Sequence, residues 1–434
     1  MSKRLKLVSI GCASGFGRGV LADVLGSPEF DEFDTELVLV DLDPVGLARM
    51  LKFGERLKEH FGSKVKLSAT TDRLQALPGA NYVITSVAIK RYPLWEQDFR
   101  VPMAFGFKHC LGENGGPGAV FHALRNYQLM VPIAEDMEQL CPEALLLNFT
   151  NPESRILMAV SKLTRINSVG LCHGMMGGRG GISRILGRPL EELDIVAGGL
   201  NHFFWVTAIR DKASGEDLYP VFREKMADPD CPAMPPLVRK MVEVFGCYTY
   251  PSDDHIGEYL SFATDFTGQL WHYGQEWRPV PLTPPEPEPS DLEACASGAK
   301  PVDEHLARKS GELAIPIVLG IEQDLGNWEC AVNVPNTEGY VANLDRDGVV
   351  EVPAVMDAQG VHPQVIGAIP EGLAAFCNLQ IAIQKLLVEA YREKSRRLLL
   401  QTLLLDPVVD SAPRAEQLLD YMLILQKDYL PEFH

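Results

Sequence analysis

The sequence is short of positive charge: 40 lysines and arginines stand against 58 aspartates and glutamates, a formal net charge of −18. Surfaces that bind nucleic acid or an anionic membrane need basic patches, so neither kind of partner is expected. No apolar run approaches the roughly 18 residues of a membrane-crossing helix. The opening Met-Ser-Lys-Arg-Leu-Lys runs straight into a glycine-rich turn, and its apolar stretch 5–10 is too short and interrupted for a signal peptide. Paired cysteines are missing as well. There are nine, an odd number without a Cys-x-x-Cys, which argues against a disulfide framework and a zinc ribbon. A reducing, cytoplasmic setting is the expectation. No internal repeat is visible. The one biased tract, 279–290 (PVPLTPPEPEPS), has six prolines and is excluded from helix interiors and central strands.

What is present is globular. The 434 residues are 46% hydrophobic and 23% charged, enough for a large core and too apolar for global disorder. A prior of about 150 residues per domain gives two or three domains, and the acidity favours a small-molecule partner. Up to about residue 175 a short apolar run alternates with a helix-length segment. The runs are 5–10, 37–40, 65–68, 82–87, 145–149 and 168–171; helical segments include 19–25, 44–60 and 126–140. The runs are β-branched or leucine-rich without alternation, as strands buried on both faces are. This predicts an α/β fold with a Rossmann-type doubly wound parallel sheet over 1–175, whose ligand edge is the carboxyl ends of the strands. A mixed α+β domain for substrate and oligomer contacts is expected over 176–434. There, 207–211 and 217–221 read as short strands or extended loops. Helices are expected over 237–245, 258–263 and 302–313, and a long one over 372–405.

Several strand ends carry chemistry. The first turn holds Gly11, Ala13, Ser14 and Gly15 between a strand and a helix, where backbone amides can approach a pyrophosphate. Ala13 stands where the strict Gly-x-Gly-x-x-Gly pattern has its second glycine. Asp41 ends the next strand and is placed either to bond the ribose hydroxyls of NAD or to serve a surface turn. Together they point to a dinucleotide. Glu113 lies in a second glycine-rich loop, a carboxylate near substrate or part of a tight bend. Asn148 and Asn151 close the fifth strand, as sugar contacts or as turn chemistry. Cys172 and His173 end the sixth strand, and Asn201-His202 follows later. A thiolate and imidazoles at one edge suit a divalent transition metal, although each alone is as readily a packed side chain. The stretch Ser252-Asp253-Asp254-His255 is dense in acid–base groups and equally resembles a helix cap.

In this order, Gly11-Cys12-Ala13-Ser14, Gly116-Pro117-Gly118-Ala119, Asn148-Phe149-Thr150-Asn151-Pro152, Gly170-Leu171-Cys172-His173, Gly199-Leu200-Asn201-His202 and Asn333-Val334-Pro335-Asn336 resemble the motifs of glycoside hydrolase family 4. The likeness spans essentially the whole chain and is closest to the α-galactosidase, α-glucosidase and α-glucuronidase or galacturonidase types. It implies an NAD⁺- and Mn²⁺-dependent glycosidase working by elimination and addition, an exception to the two-carboxylate mechanism. In that scheme NAD⁺ takes a hydride from C3, a base removes the acidified C2 proton, the C1 substituent leaves, water adds, and the hydride returns. By position the resemblance implies Cys172 and His202 as metal ligands, Asn151 as a cofactor and substrate contact, and Asp253 or Asp254 as the C2 base. It leaves His173 and Glu113 for leaving-group protonation or substrate binding, with Asn148 and Asn201 as further substrate contacts. Relatives of this kind are homodimers or homotetramers, and the apolar stretch 397–408 is rich for a solvent face. Two other readings remain: an NAD-dependent dehydrogenase of the malate or lactate type, which needs no metal, and a non-catalytic sugar or dinucleotide sensor.

Overall fold

Six apolar runs become strands β1 (Arg4–Ile10), β2 (Asp34–Val40), β3 (Lys66–Thr70), β4 (Tyr82–Thr85), β5 (Leu145–Asn148) and β6 (Ser168–Gly170) of the computed structural model. It describes residues 3–228, 231, 235–268 and 291–434, so the proline tract 279–290 lies outside the described residues. The strands lie in the order 3-2-1-4-5-6, all parallel. That is the order of dinucleotide-binding sheets, and the reversal at β1 and β4 opens a crevice at the carboxyl edge. β4 and β5 are buried at every residue, which is why their sequences do not alternate.

Among the described residues six more strands follow: β7 (Leu193–Leu200), β8 (Phe203–Asp211), β9 (Tyr248–Thr249), β10 (Asn327–Pro335), β11 (Val349–Asp357) and β12 (Gly360–Pro363). They continue the same sheet. β10 meets β6 antiparallel through Asn333 and Gly170, and β11, β7, β8 and β9 extend it, with β12 beside β11. One hydrophobic cluster runs through both halves of the chain.

Four expected elements differ, each for a visible reason. The stretch 217–221 enters the helix Tyr219–Ala227, because the Asp217 carboxylate accepts from the Tyr219 amide and Pro220 suits a first turn. The stretch 258–263 is a run of turns between the short helices Asp253–Gly257 and Thr264–Thr267. Only Glu304–Ala307 of 302–313 is helical, since Arg18 takes the carbonyls of His305, Leu306 and Arg308 that a longer helix would use. The long C-terminal helix is two, Glu371–Glu393 and Arg396–Leu405, broken where Lys394 turns left-handed at φ 52°. The first of these, unlike anything expected from the sequence, is long and apolar enough to cross a membrane. It is a core helix here: Leu373, Ile381 and Leu387 are fully buried.

Candidate active site

The first turn closes tightly. Gly11 has φ 87°, and a Cβ there would fall 2.1 Å from the Ser86 carbonyl oxygen. A Cβ on Gly17 would fall 2.0 Å from the Cys12 carbonyl oxygen, so both positions demand glycine. Ser14 caps the following helix, accepting from the Gly17 amide. Gly15 has open space around it. The methyl of Ala13 abuts Gly46 in the next helix, where a Cβ would come within 2.8 Å of it. Ala13 donates its amide to Asp41 Oδ2 at 2.8 Å, while Asp41 Oδ1 accepts from the Asp43 amide. The Asp41 carboxylate therefore sits beside the turn at the carboxyl edge of β2, with each oxygen keeping a lone pair.

At the carboxyl end of β6, Cys172 Sγ lies 3.3 Å from Nε2 of His202, which comes 30 residues later in the two-residue link between β7 and β8. A cation holding both atoms at ordinary metal–thiolate and metal–imidazole distances would separate them by about 3.1–3.6 Å. Burial, then the nearby His255 and His173, keep the His202 imidazole well below its usual range and so neutral, as a ligand must be. Burial, then Glu351, push the Cys172 thiol up to about 12, the opposite of what a ligand needs until a cation arrives. Among the described residues no group of three histidine, cysteine or acidic side chains gathers to hold a metal. A cation here would have two protein ligands and open positions for oxygens of a substrate.

The surroundings are rich in acceptors. Glu351 Oε2 accepts from Nδ2 of both Asn201 and Asn333. Its Oε1, together with Glu153 Oε1, Asn201 Oδ1 and Asn333 Oδ1, is buried with no donor among the described residues. Burial pushes the Glu351 carboxyl up to about 7, and burial followed by Glu351 pushes Glu153 well above the carboxylate range. Uncompensated oxygen beside a thiol is an environment in which positive charge is missing. The residues present fit a divalent cation.

Other expected site residues are distributed differently. Asn148 is fully buried and committed: its Oδ1 accepts from Thr85 and the Thr150 amide, and its Nδ2 donates to the Thr150 carbonyl. It shapes the strand end, and one Nδ2 hydrogen is left over. Asn201 donates from Nδ2 to Glu351, and its Oδ1 has no donor among the described residues. The Asn151 carbonyl accepts from Asn126, and its side chain has no hydrogen-bond partner among the described residues. His173 is exposed and its Nδ1 lies 3.2 Å from Glu312, whose hydrogen bond raises its pKa. Asp253, expected as the base, instead accepts from the Leu237 and Val238 amides at the start of the helix Pro236–Phe245, 3.0 and 2.9 Å away. The helix it caps is therefore Pro236–Phe245 and not the one beginning beside it, Asp253–Gly257, which has no side-chain cap. Asp254 Oδ1 pairs with His255 Nδ1 at 2.7 Å. Burial pushes it up, but the bonds from His255 and Ser252 prevail and hold it below its usual value. His255 stacks on Tyr250 with 4.6 Å between ring centroids and meets His202 edge-on at 4.7 Å.

Glu113 is buried, paired with Arg91 at 3.1 Å. Its neighbour Asn114 reaches His202, Nδ2 to Nδ1 at 3.3 Å. Both are anchored by Glu258, whose carboxylate accepts from the amides of Glu113, Asn114 and Gly115. Asn114, Glu258, Glu153 and Glu351 are the residues that motif reading missed. A usable signal existed for Glu351: it is the lone charge inside the apolar run Val349–Met356.

The profile described as "Family 4 glycosyl hydrolase" matches residues 6–188, and its C-terminal domain profile matches 197–409. The chain belongs to glycoside hydrolase family 4. It is 32% identical over 479 residues to an alpha-glucosidase of Erwinia rhapontici, covering 99% of each. It is 28% identical over 440 residues to an alpha-galactosidase of Bacillus subtilis, again covering 99% of each. In fold it resembles a 6-phospho-alpha-glucosidase from gut microorganisms, solved with NAD and Mn²⁺, at TM-score 0.79 and 23% identity over the full length of both. A malate dehydrogenase from Plasmodium falciparum shares the fold distantly, at TM-score 0.54 and 12% identity over 91% of this chain and 99% of that one. The protein is therefore a family 4 glycoside hydrolase, and the dehydrogenase reading falls away.

Proposed function

We propose that this family 4 enzyme hydrolyses an α-glycoside — a galactoside, glucoside or uronide — with NAD⁺ at the Gly11–Gly15 turn and Asp41, and with Mn²⁺ or another divalent cation on Cys172 and His202. The observation that carries the reading is the 3.3 Å approach of a thiol and a neutral imidazole at the ligand edge of a dinucleotide-type sheet. It is supported by the NAD and Mn²⁺ of the related 6-phospho-alpha-glucosidase structure. When bound, NAD⁺ offers an acceptor for a hydride from C3 and the cation favours negative charge on the oxygens of C2 and C3, so that the C2 proton comes within reach of a side-chain base.

The chain's own groups then have defined tasks. Asp41 takes the ribose hydroxyls with its remaining lone pairs. Cys172 and His202 fix the cation. The base is one of two adjacent carboxylates. Asp254 is held ionised by its bonds to His255 and Ser252, and Asp253 accepts one amide on each oxygen, so each oxygen keeps a lone pair. His173, exposed and with its pKa raised by Glu312, is suited to give a proton to the leaving group. We further infer a homodimer or homotetramer in a reducing cytoplasm, consistent with nine free cysteines.

The test is a panel of nitrophenyl α- and β-glycosides and glycuronides, with NAD⁺, Mn²⁺ and a reductant present. Activity on an α-glycoside should need both additions. Product formed in D₂O should carry deuterium at C2, and Cys172→Ser should lower activity at least 100-fold along with metal content. Whichever of Asp253→Asn and Asp254→Asn abolishes the exchange identifies the base. Hydrolysis without NAD⁺ and without deuterium at C2 would overturn the reading.

A further inference from the structure

We propose that Asn114 is a positioning residue for the His202 imidazole, and that Glu258 holds Asn114 in place; this rests on the reading that Cys172 and His202 carry the cation. His202 sits in the link between β7 and β8 with φ 60°. Such a link fixes a Cα but leaves the ring free to rotate. The rings of Tyr250 and His255 lie against the imidazole at centroid distances of 5.0 and 4.7 Å and set its plane. The Asn114 amide, 3.3 Å from Nδ1, sets its rotation about the ring axis and so where Nε2 points.

Asparagine suits this task because its amide can face the ring in two ways. Without a cation, Nδ2 donates to an unprotonated Nδ1. With Nε2 engaged by a cation, the neutral imidazole carries its proton on Nδ1, and Oδ1 accepts it. In the first orientation Nδ2 also lies 3.5 Å from Glu113 Oε2.

The amide can serve as a reference point only if its own backbone is fixed, and the local sequence does not fix it. Leu111, Gly112 and Gly116 all have positive φ, at 44°, 69° and 74°. Contacts from distant residues do the work. Glu258, 144 residues further along, accepts from the Glu113, Asn114 and Gly115 amides at 2.8, 2.7 and 3.0 Å. Arg155 Nε donates to the Asn114 carbonyl at 3.0 Å. A side chain on Gly115 would come within 2.5 Å of the Glu258 carbonyl oxygen, so the approach is as close as the chain allows. The amide and the carbonyl of Asn114 are thus both held by side chains far away in the sequence.

The experiment titrates the full-length protein with Mn²⁺, following free Mn²⁺ by its EPR signal, with NAD⁺ affinity measured in parallel. Asn114→Leu should weaken Mn²⁺ binding about 10–100-fold and leave NAD⁺ binding unchanged. Asn114→Asp, which keeps an acceptor for Nδ1–H, should recover most of the loss. Glu258→Gln should weaken Mn²⁺ in the same direction, and adding Asn114→Leu to it should cost less than the two losses combined. If Asn114→Leu fails to fold, shown by lost NAD⁺ binding, Asn114→Ser carries the same expectation. A folded Asn114→Leu or Asn114→Ser variant that binds Mn²⁺ like the wild type overturns the proposal. If Cys172→Ser leaves wild-type Mn²⁺ affinity intact, the metal site itself is misassigned. Loss with Cys172→Ser but none with Asn114→Leu overturns the positioning role alone.

Discussion

Glu351 shows how far a single side chain can depart from its solution behaviour. Burial raises its pKa from 4.5 to about 7, against the opposing bonds from Asn201 and Asn333. Between those values the folded chain holds a proton that the unfolded chain has released. Stability therefore falls as pH rises from about 4.5 to about 7 and levels off above. Thermal melts of the metal-free protein should give a higher Tm at pH 5.5 than at pH 7.5, and Glu351→Gln should flatten that slope. Identical slopes would mean that Glu351 is already ionised in the fold. Residues of this sort were the hardest to see in the sequence. Cys172 and His202 stood out because soft and imidazole donors are scarce and ended their motifs. Asp253 and Asn148 stood out as well, yet each also bonds backbone, at a helix start and at a strand end. A side chain that can bind a ligand can also bind backbone, and sequence spacing does not say which it meets.

Among the elements, the first turn and helix are the most legible, because glycine there answers a steric demand. Gly17 passes the Cys12 carbonyl so closely that a methyl would lie 2.0 Å from its oxygen, while Gly15, two residues earlier, has nothing within 4 Å. Gly17→Ala should cost about 1–3 kcal/mol and weaken NAD⁺ binding, whereas Gly15→Ala should leave both near wild type. Denaturant unfolding and an NAD⁺ titration of the two variants check this, and equal effects would remove the close-approach argument. The parallel strands were equally readable, since burial on both faces writes continuous apolar runs. The stretches 217–221, 258–263 and 302–313 were not, because distant partners set them. Arg18 claims the carbonyls of 305, 306 and 308, and Ser310 donates its amide to Asp23. Periodicity carries no trace of such long-range bonds.

At the scale of the whole molecule, two surfaces matter. The first is the C-terminal pair of helices, Arg396–Leu405 and Ala412–Leu425. Leu399 and Leu403 of the expected apolar stretch are buried within the chain, but Leu404, Leu405, Tyr421, Ile424 and Leu425 remain exposed. If they are covered by a second copy, light scattering at micromolar concentration should give at least twice the 47.9 kDa of one chain, and Ile424→Glu with Tyr421→Glu should shift it toward that value. A monomer in the wild type would reject the assembly.

The second surface exists only while the protein is being made. β6 gains its outer neighbour when Asn333 pairs with Gly170, 163 residues later in the chain. At about 5–20 residues per second on the ribosome, the nascent sheet waits roughly 8–30 s with a row of unpaired amides and carbonyls along that edge. β10 also joins the parallel strands to β11, β7, β8 and β9. Translation speed and chaperone cover over that interval should govern how much of this enzyme reaches its native state.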